Sequence, residues 1–557
     1  MSNYYAGDST VMWIVVLAFI ISFILAMGLG ANDVANSFGT SVGAKVLTLY
    51  KACIVAAIFE TGGAILLGYR VSDTIRKGLF NPDLYYGREE LLMVGNLCAL
   101  AGSCIWLFTA TALSVPVSAT HSIVGASLGF HMVIFGGEGV AWEVVVTIVI
   151  SWFGSPILSG LISSCIYGVL NYTVLKPEDP MKIGVYTTPF WYFAVIFVNF
   201  FSIFFGSSLL FGFDELWIVF VIAIGGGLVM AGFGYFFVVP YTQRKVYEIR
   251  RDLRLKAAEE GRGEKQQEET EIEETSLDKP NGNANGITEG AANGHVKTEK
   301  VDPDHPDAIL VPDTQVNGNP PDYDNIDLNE TEGGDDDGSG KASKWMVKKG
   351  SKEWESVEDT PEVRAICAPL QVVSACFAAF SHGGNDVSNA IGPLISLWII
   401  FTTGSVSQDA VTPVWILFYG GAGISVGLFL LGSRVIKTVG EDLTPMTPSN
   451  GFCIELGSAI TVLLASNLGI PISTTHCQVG SVCSIGWLRT RKAVDWPLFS
   501  GIFLAWVVTL PATIMLSAAL MGLLQHTVPG GCDIQPLVPN ITTTTVSAAA
   551  AAMGVEL

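Results

Sequence analysis

The chain has 557 residues, half of them apolar and only 15% charged, with a mean hydropathy of +0.46. A soluble protein carries about 25% charged residues, so the composition excludes a soluble enzyme and predicts a polytopic membrane protein. The formal charge of −21 is concentrated, because residues 257–340 hold 23 Asp and Glu against 5 Lys and Arg while the rest is nearly neutral; nucleic acid is therefore not an expected partner.

In chain order, the run from Val11 to Gly30 is as long as one bilayer crossing requires. It is preceded by Asp8 and by no Lys or Arg, so it reads as a retained span and not a cleaved leader. Further apolar stretches lie near 46–69, 91–113, 114–135, 142–170, 190–212 and 216–240, then near 363–382, 391–402, 413–433, 451–468, 471–488 and 497–525. The pattern predicts an all-α polytopic membrane protein of about 12 membrane segments. The stretch at 142–170 contains Pro156 and is expected to be kinked or divided.

Four regions follow: 1–240, a first membrane repeat with connecting spans; 241–360, an acidic loop; 361–525, a second repeat; and 526–557, a tail. The loop is rich in Glu, Asp, Asn, Gly and Pro, and is expected to be disordered for want of apolar area to bury. Arg244, Lys245, Arg250, Arg251, Arg254 and Lys256 follow the span that ends at Pro240. The positive-inside rule then predicts a cytoplasmic loop, with both termini outside a plasma membrane. Asn540-Ile-Thr542 would be a plausible external glycosylation acceptor. The ten cysteines form no CxxC pair and read as small buried hydrophobes. Lys45, Arg70, Arg76 and Arg434, near span ends, are expected to anchor the interface.

Two pairs of segments repeat. Gly30-Ala-Asn-Asp-Val-Ala-Asn-Ser-Phe-Gly39 matches Gly383-Gly-Asn-Asp-Val-Ser-Asn-Ala-Ile-Gly392 at six of ten positions. Pro116-Val-Ser-Ala-Thr-His-Ser-Ile-Val-Gly125 matches Pro471-Ile-Ser-Thr-Thr-His-Cys-Gln-Val-Gly480. Counting spans predicts that the two halves cross the bilayer in opposite senses. An inverted two-fold repeat with broken or re-entrant helices is the sequence mark of a secondary transporter, whose central site opens to either side in turn.

The first pair carries carboxylates at membrane depth, Asp33 and Asp386, which are costly unless a cation or donor meets them. With the amides of Asn32, Asn36, Asn385 and Asn389, and with carbonyls freed by unwinding at the adjacent glycines, they make a hard-oxygen set suited to Na⁺. The second pair reads as two helix starts, Ser capping and Pro leading. Their free N–H groups, with the hydroxyls of Ser118, Thr120, Ser473, Thr474 and Thr475, form cradles for an oxyanion. Glu60 and Glu455 lie inside apolar stretches without acidic counterparts, fit to bind a cation, carry a proton or pair internally. His121 and His476 are expected to orient the hairpins; His382 is ambiguous. No nucleophile–base pair and no cofactor motif stands out, so neither an enzyme nor a cofactor is expected.

At these residues the sequence resembles the inorganic phosphate transporter (PiT) family, specifically its eukaryotic sodium-dependent symporters. The likeness runs through both repeated pairs and through Phe59-Glu-Thr-Gly and Val71-Ser-Asp-Thr-Ile-Arg-Lys-Gly78, and covers roughly 11–240 and 361–525. The resemblance implies inward symport of monovalent phosphate, H2PO4⁻, with more than one Na⁺, and homodimers in the bilayer. It implies Asp33 and Asp386, with Asn32 and Asn385, at the Na⁺ and phosphate site, the Pro-x-Ser-x-Thr-His hydroxyls on phosphate, and Glu60 and Glu455 as acidic residues needed for transport. Ala119 faces Thr474 in the alignment of halves, so the two cradles are expected to be unequal. Proton coupling, a phosphate sensor without turnover, and a Na⁺-independent anion channel are the competing readings; nothing in the sequence supports a viral-receptor role.

Overall fold

The computed structural model describes residues 9–177, 179–206, 215–277, 358–432, 443–491 and 493–528. It divides into two units, residues 1–253 with 343–557, and residues 254–342. Among the described residues the chain is helical, apart from one isolated bridge between Phe80 and Val140. Ten helices among the described residues are long and apolar enough to cross a membrane, so the chain is a multi-pass membrane protein.

The first half supplies α1 (Ser9–Gly43), α2 (Leu49–Lys77), α3 (Glu89–Ala112), α4 (Ala119–Phe135) and α5 (Trp142–Leu170). Then come α6 (Pro180–Gly206), α7 (Leu216–Phe233) and α8 (Val239–Leu277). The second half supplies α9 (Pro361–Thr403), α10 (Val414–Leu431), α11 (Pro448–Asn467), α12 (Thr474–Arg489) and α13 (Trp496–Leu524). The packing between the two sets is reciprocal: α1 lies on α10 as α9 lies on α2, and α4 lies on α13 as α12 lies on α5.

Three boundaries differ from those read in the sequence. The stretches at 363–382 and 391–402 are one helix, α9, because its 43 residues carry no turn and its buried Pro393 lacks only one ladder bond. The 142–170 stretch is also undivided; Pro156 sits inside α5, and a π-turn at Asn171–Leu175 follows it. Helix α8 continues into the segment expected to lack structure and ends at Leu277. That part is rich in Glu, Lys, Arg and Gln, good helix formers that need no core. The rest of the acidic segment, from residue 278 to 357, and the tail beyond 528, with Asn540 and Cys532, lie outside the described residues.

Helix α9 occupies the centre of the larger unit, with every residue from Ala378 to Leu397 buried. A helix buried on all sides needs small residues where neighbours cross. At Gly383 a Cβ would overlap the backbone of Glu60 on α2, and at Gly427 of α10 it would overlap the backbone of Met27 on α1. Serines join α5 to α12: Ser159 and Ser163 both hydrogen-bond Ser481, at 2.6 and 2.8 Å. Such contacts are worth about 0.6 kcal/mol each in a membrane.

Candidate functional site

Both Pro-x-Ser-x-Thr-His segments begin helices, as their composition predicts. Ser118 caps α4 by accepting from the His121 N–H, and Ser473 caps α12 by accepting from the His476 N–H, each at 3.2 Å. The turns before them use a left-handed residue at matching positions, Ser114 (φ 57°) and Gly469 (φ 68°). The hairpins grip one another across the halves. Thr120 Oγ1 donates to the Ile472 carbonyl at 3.0 Å, and Thr475 Oγ1 lies 3.2 Å from the Val117 carbonyl. His121 Nδ1 faces the Trp506 carbonyl and His476 Nδ1 that of Trp152, at 3.4 and 3.0 Å. Each ring lies against the other tryptophan, with centroids 3.6 Å (His121–Trp152) and 3.8 Å (His476–Trp506) apart. Each histidine thus links its hairpin to a helix of the other half.

The Asn-Asp segments sit beside the hairpins on helices that stay continuous through them, over the 35 residues of α1 and the 43 of α9. The unwinding expected at their glycines is absent, because those glycines admit neighbouring backbones and leave the ladder intact. Freed carbonyls therefore do not contribute ligands here, and the polar chemistry is carried by side chains. Asn36 Nδ2 donates to Asp33 Oδ1 (3.1 Å) and to Thr475 Oγ1 (2.9 Å). In the second half Asn389 Nδ2 donates to Asp386 Oδ1 (2.8 Å) and to Thr120 Oγ1 (3.4 Å). Thr474 Oγ1 donates to Asp386 Oδ2 (2.5 Å), and Thr475 Oγ1 stands 3.2 Å from Asp33 Oδ1. The single proton of Thr475 thus has two acceptors, one of them a carboxylate.

The two remaining asparagines differ. Asn32 spends its whole amide on the first hairpin: Nδ2 donates to Thr111 Oγ1 and the Val115 carbonyl, and Oδ1 accepts from the Val117 N–H. Asn385 Nδ2 donates to Ser466, and its Oδ1 is buried without a partner, as are the Oδ1 atoms of Asn36 and Asn389. Three orphaned amide oxygens beside two carboxylates are the acceptors a cation needs, since a buried unpaired oxygen otherwise costs about 1–3 kcal/mol.

His382 completes the cluster and was not assigned a role from sequence. Its Nε2 lies 2.8 Å from Asp386 Oδ2 and 4.0 Å from Asp33 Oδ2, while its Nδ1 lies 3.1 Å from Glu60 Oε1. One ligand atom each from Asp33, His382 and Asp386 falls within 4.8 Å of the others. Position 382 stands one helical turn before Asp386, a spacing that marks a shared face. Glu60 also accepts from Ser37 (3.3 Å), and its Oε2 is buried without a partner.

Glu455 lies outside this cluster, saturated with donors. Thr40 (2.5 Å), Ser41 (2.6 Å) and Gln371 (3.2 Å) reach Oε1, and Ser374 (2.5 Å) reaches Oε2. It therefore ties α1 to α9. The hydroxyls of Ser37, inside the first motif, and of Thr40 and Ser41, just beyond it, stand at helical spacing, which is the sequence signal for a polar face there.

A small cavity opens on the cluster, lined by Asn36, Ser381, His382, Ser458, Thr474 and Gln478 and by the apolar Ala378 and Val462. It leaves about 10 Å³ for the centre of a water-sized group, which suits one water or a small bare cation. Nearer the ends of the helices, two arginines expected as interface anchors do other work. Arg76 is buried, paired with Asp73 (2.8 Å) and donating to the carbonyls of Gln408 and Ala410. Arg70 donates to the Asn467 carbonyl at 2.6 Å. Arg434 lies outside the described residues.

Residues 29–517 match the phosphate transporter family. The chain belongs to that family. It is 36% identical to sodium-dependent phosphate transporter 1 of Rattus norvegicus, over 92% of this chain and 96% of the relative. It is 37% identical to sodium-dependent phosphate transporter 2 of Felis catus, over 92% of this chain and 98% of the relative. Among solved structures, "The sodium-dependent phosphate transporter" superposes with a TM-score of 0.66 at 30% identity, covering 92% of this chain and 100% of that one. As a family member this chain is a multi-pass transporter, and both repeated pairs of motifs lie within the matched residues.

Proposed function

We propose that this transporter carries inorganic phosphate into the cell with Na⁺ by alternating access. The observation that carries the reading is the convergence of Asp33 and Asp386, one from each repeated motif, within 4.8 Å of one another and of His382, with the buried amide oxygens of Asn36, Asn385 and Asn389 left without partners. Na⁺ is assigned to the carboxylates with the Oδ1 atoms of Asn36, Asn385 and Asn389. Asn32 is assigned to holding the first hairpin. The hydroxyls of Thr474 and Thr475, now donating to Asp386 and lying beside Asp33, turn to phosphate once Na⁺ has taken over those carboxylates. Ser118, Ser473 and Thr120 hold the helix starts that face it.

Charge sets the order of events. A bare pair of carboxylates repels an anion, and Na⁺ cancels that repulsion, so Na⁺ binds first. With Na⁺ in excess, each cycle moves net positive charge inward, and a potential of 100 mV contributes about 2.3 kcal/mol per charge. A tetrahedral oxyanion needs more room than the cavity holds, so the interlocked hairpins must part to admit it. Alternating access by two halves of opposite orientation fits their reciprocal packing, and a cytoplasmic placement of α8 fits its basic start.

His382, wedged between Glu60 and Asp386, favours proton coupling as the second reading. Radiolabelled phosphate uptake into proteoliposomes, with Na⁺, K⁺ and pH gradients imposed separately, decides between them. Uptake driven by the Na⁺ gradient alone is expected. Uptake driven only by a pH gradient would replace Na⁺ with H⁺, and saturable binding without uptake in any gradient would leave a sensor.

A further inference from the structure

The cavity breaks the likeness between the halves in one direction. Aligned on the repeated motifs, four of its six polar residues, Ser381, His382, Thr474 and Gln478, stand where the first half has Gly28, Leu29, Ala119 and Ile123. Hydrogen-bonding groups have thus been gathered on the faces of α9 and α12 at positions whose first-half matches are apolar or carry no side chain. An anion sharing the cavity equally between halves would not need that bias.

Among these groups Gln478 stands out. It is 1% exposed and lines the cavity one helical turn beyond Thr474. Its Oε1 accepts from Ser458 Oγ at 2.8 Å, a shorter contact than the 3.2 Å from that hydroxyl to the Glu455 carbonyl. The bond orients the amide and leaves Nε2 as a buried donor without a partner. Leaving such a donor unmet is costly, and an oxyanion is the ligand that meets it. An amide binds an anion without the fixed positive charge that would slow its release.

We propose that Gln478 is a specificity-determining residue that donates its Nε2–H to the transported oxyanion and draws it off the pseudo-two-fold axis toward the second half. Ser458 is the positioning residue that aims the amide. The inference rests on the phosphate-transport reading and deepens it.

The test uses the full chain in proteoliposomes, with inorganic phosphate and Na⁺ each titrated in uptake and in thermal-shift assays. Gln478→Ile, which installs the first-half residue, is expected to raise the phosphate KM about tenfold or more, the scale of a hydrogen bond lost to a charged group. The Na⁺ half-saturation and the Na⁺-induced thermal shift should stay within twofold of wild type. Gln478→Glu should raise KM further by repulsion, and Gln478→Asn, which withdraws the amide by one methylene, should fall between. Ser458→Ala should raise KM less than Gln478→Ile, and the double variant should be no worse than Gln478→Ile alone, since the two act through one contact.

An unchanged phosphate KM in Gln478→Ile, or in Gln478→Asn should the first not fold, overturns the inference while leaving the transport reading intact. A raised Na⁺ half-saturation with phosphate affinity preserved also overturns it, because the amide would then present its oxygen to the cation. Absence of Na⁺-driven phosphate uptake in the wild-type chain removes both readings together.

Discussion

Asp33 and Asp386 each accept from the asparagine three residues on, and each meets a threonine of the second hairpin. Replacing either by Asn keeps the shape, turns one acceptor oxygen into a donor, and removes the charge on which the proposed Na⁺ site relies. Asp33→Asn and Asp386→Asn are each expected to abolish Na⁺-driven uptake while the protein still inserts and reaches the membrane. The check is paired: uptake against surface abundance, with the Na⁺-induced thermal shift as a binding readout. Normal uptake in both variants would take them out of the mechanism. Sequence alone singled out these carboxylates because they recur. It passed over His382, which has no counterpart in the first half, and its spacing to Asp386 acquires meaning only when α2 brings Glu60 to its other nitrogen.

At the level of helices, the controlling feature is how closely α2 and α9 approach. Gly383 faces the Glu60 backbone with no space for a methyl, whereas a Cβ at Gly62 would stand 3.9 Å from the Phe380 ring, an ordinary contact. Gly383→Ala is expected to destabilise the protein by about 2 kcal/mol, as overpacking does. Gly62→Ala should stay within about 0.5 kcal/mol. Thermal unfolding in detergent compares the two, and equal stability would mean that the helices can separate without penalty. The caps of α4 and α12 were legible from Pro and Ser at fixed offsets, because capping is decided within a few residues. The continuity of α1 and α9 was not legible. A Gly beside an Asn-Asp pair suits both an unwound turn and a tight helix crossing, and only the neighbouring helix chooses between them.

Across the whole molecule, ion pairs brace α8 against the starts of α6 and α9. Arg250 donates to Asp179 at 2.8 Å and approaches Glu362 at 3.5 Å. The guanidinium's hydrogen bond holds the Asp179 carboxyl below the usual carboxylate range. A lowered folded-state pKa stabilises above the unfolded value of about 4 and loses that contribution as pH falls through the folded one. Asp179→Asn is therefore expected to lower the thermal midpoint slightly at pH 7, since the pair is about one-third exposed. The difference from wild type should shrink as pH drops below about 4. A gap that is constant with pH would assign the loss to packing.

What the sequence determined by itself is everything that depends on composition and on residues near one another in the chain. Its hydropathy dictated membrane helices, two motifs recur in it, and Pro-x-Ser-x-Thr-His dictated where two helices begin. What the tertiary structure decided is which polar groups meet. Glu455 faces Thr40 and Ser41 across more than four hundred residues, and the polar half of the cavity is assembled from α1, α9, α11 and α12. Hydrogen bonding and charge pairing act over a few ångströms whatever the separation along the chain, so their partners are fixed only when packing brings the helices together.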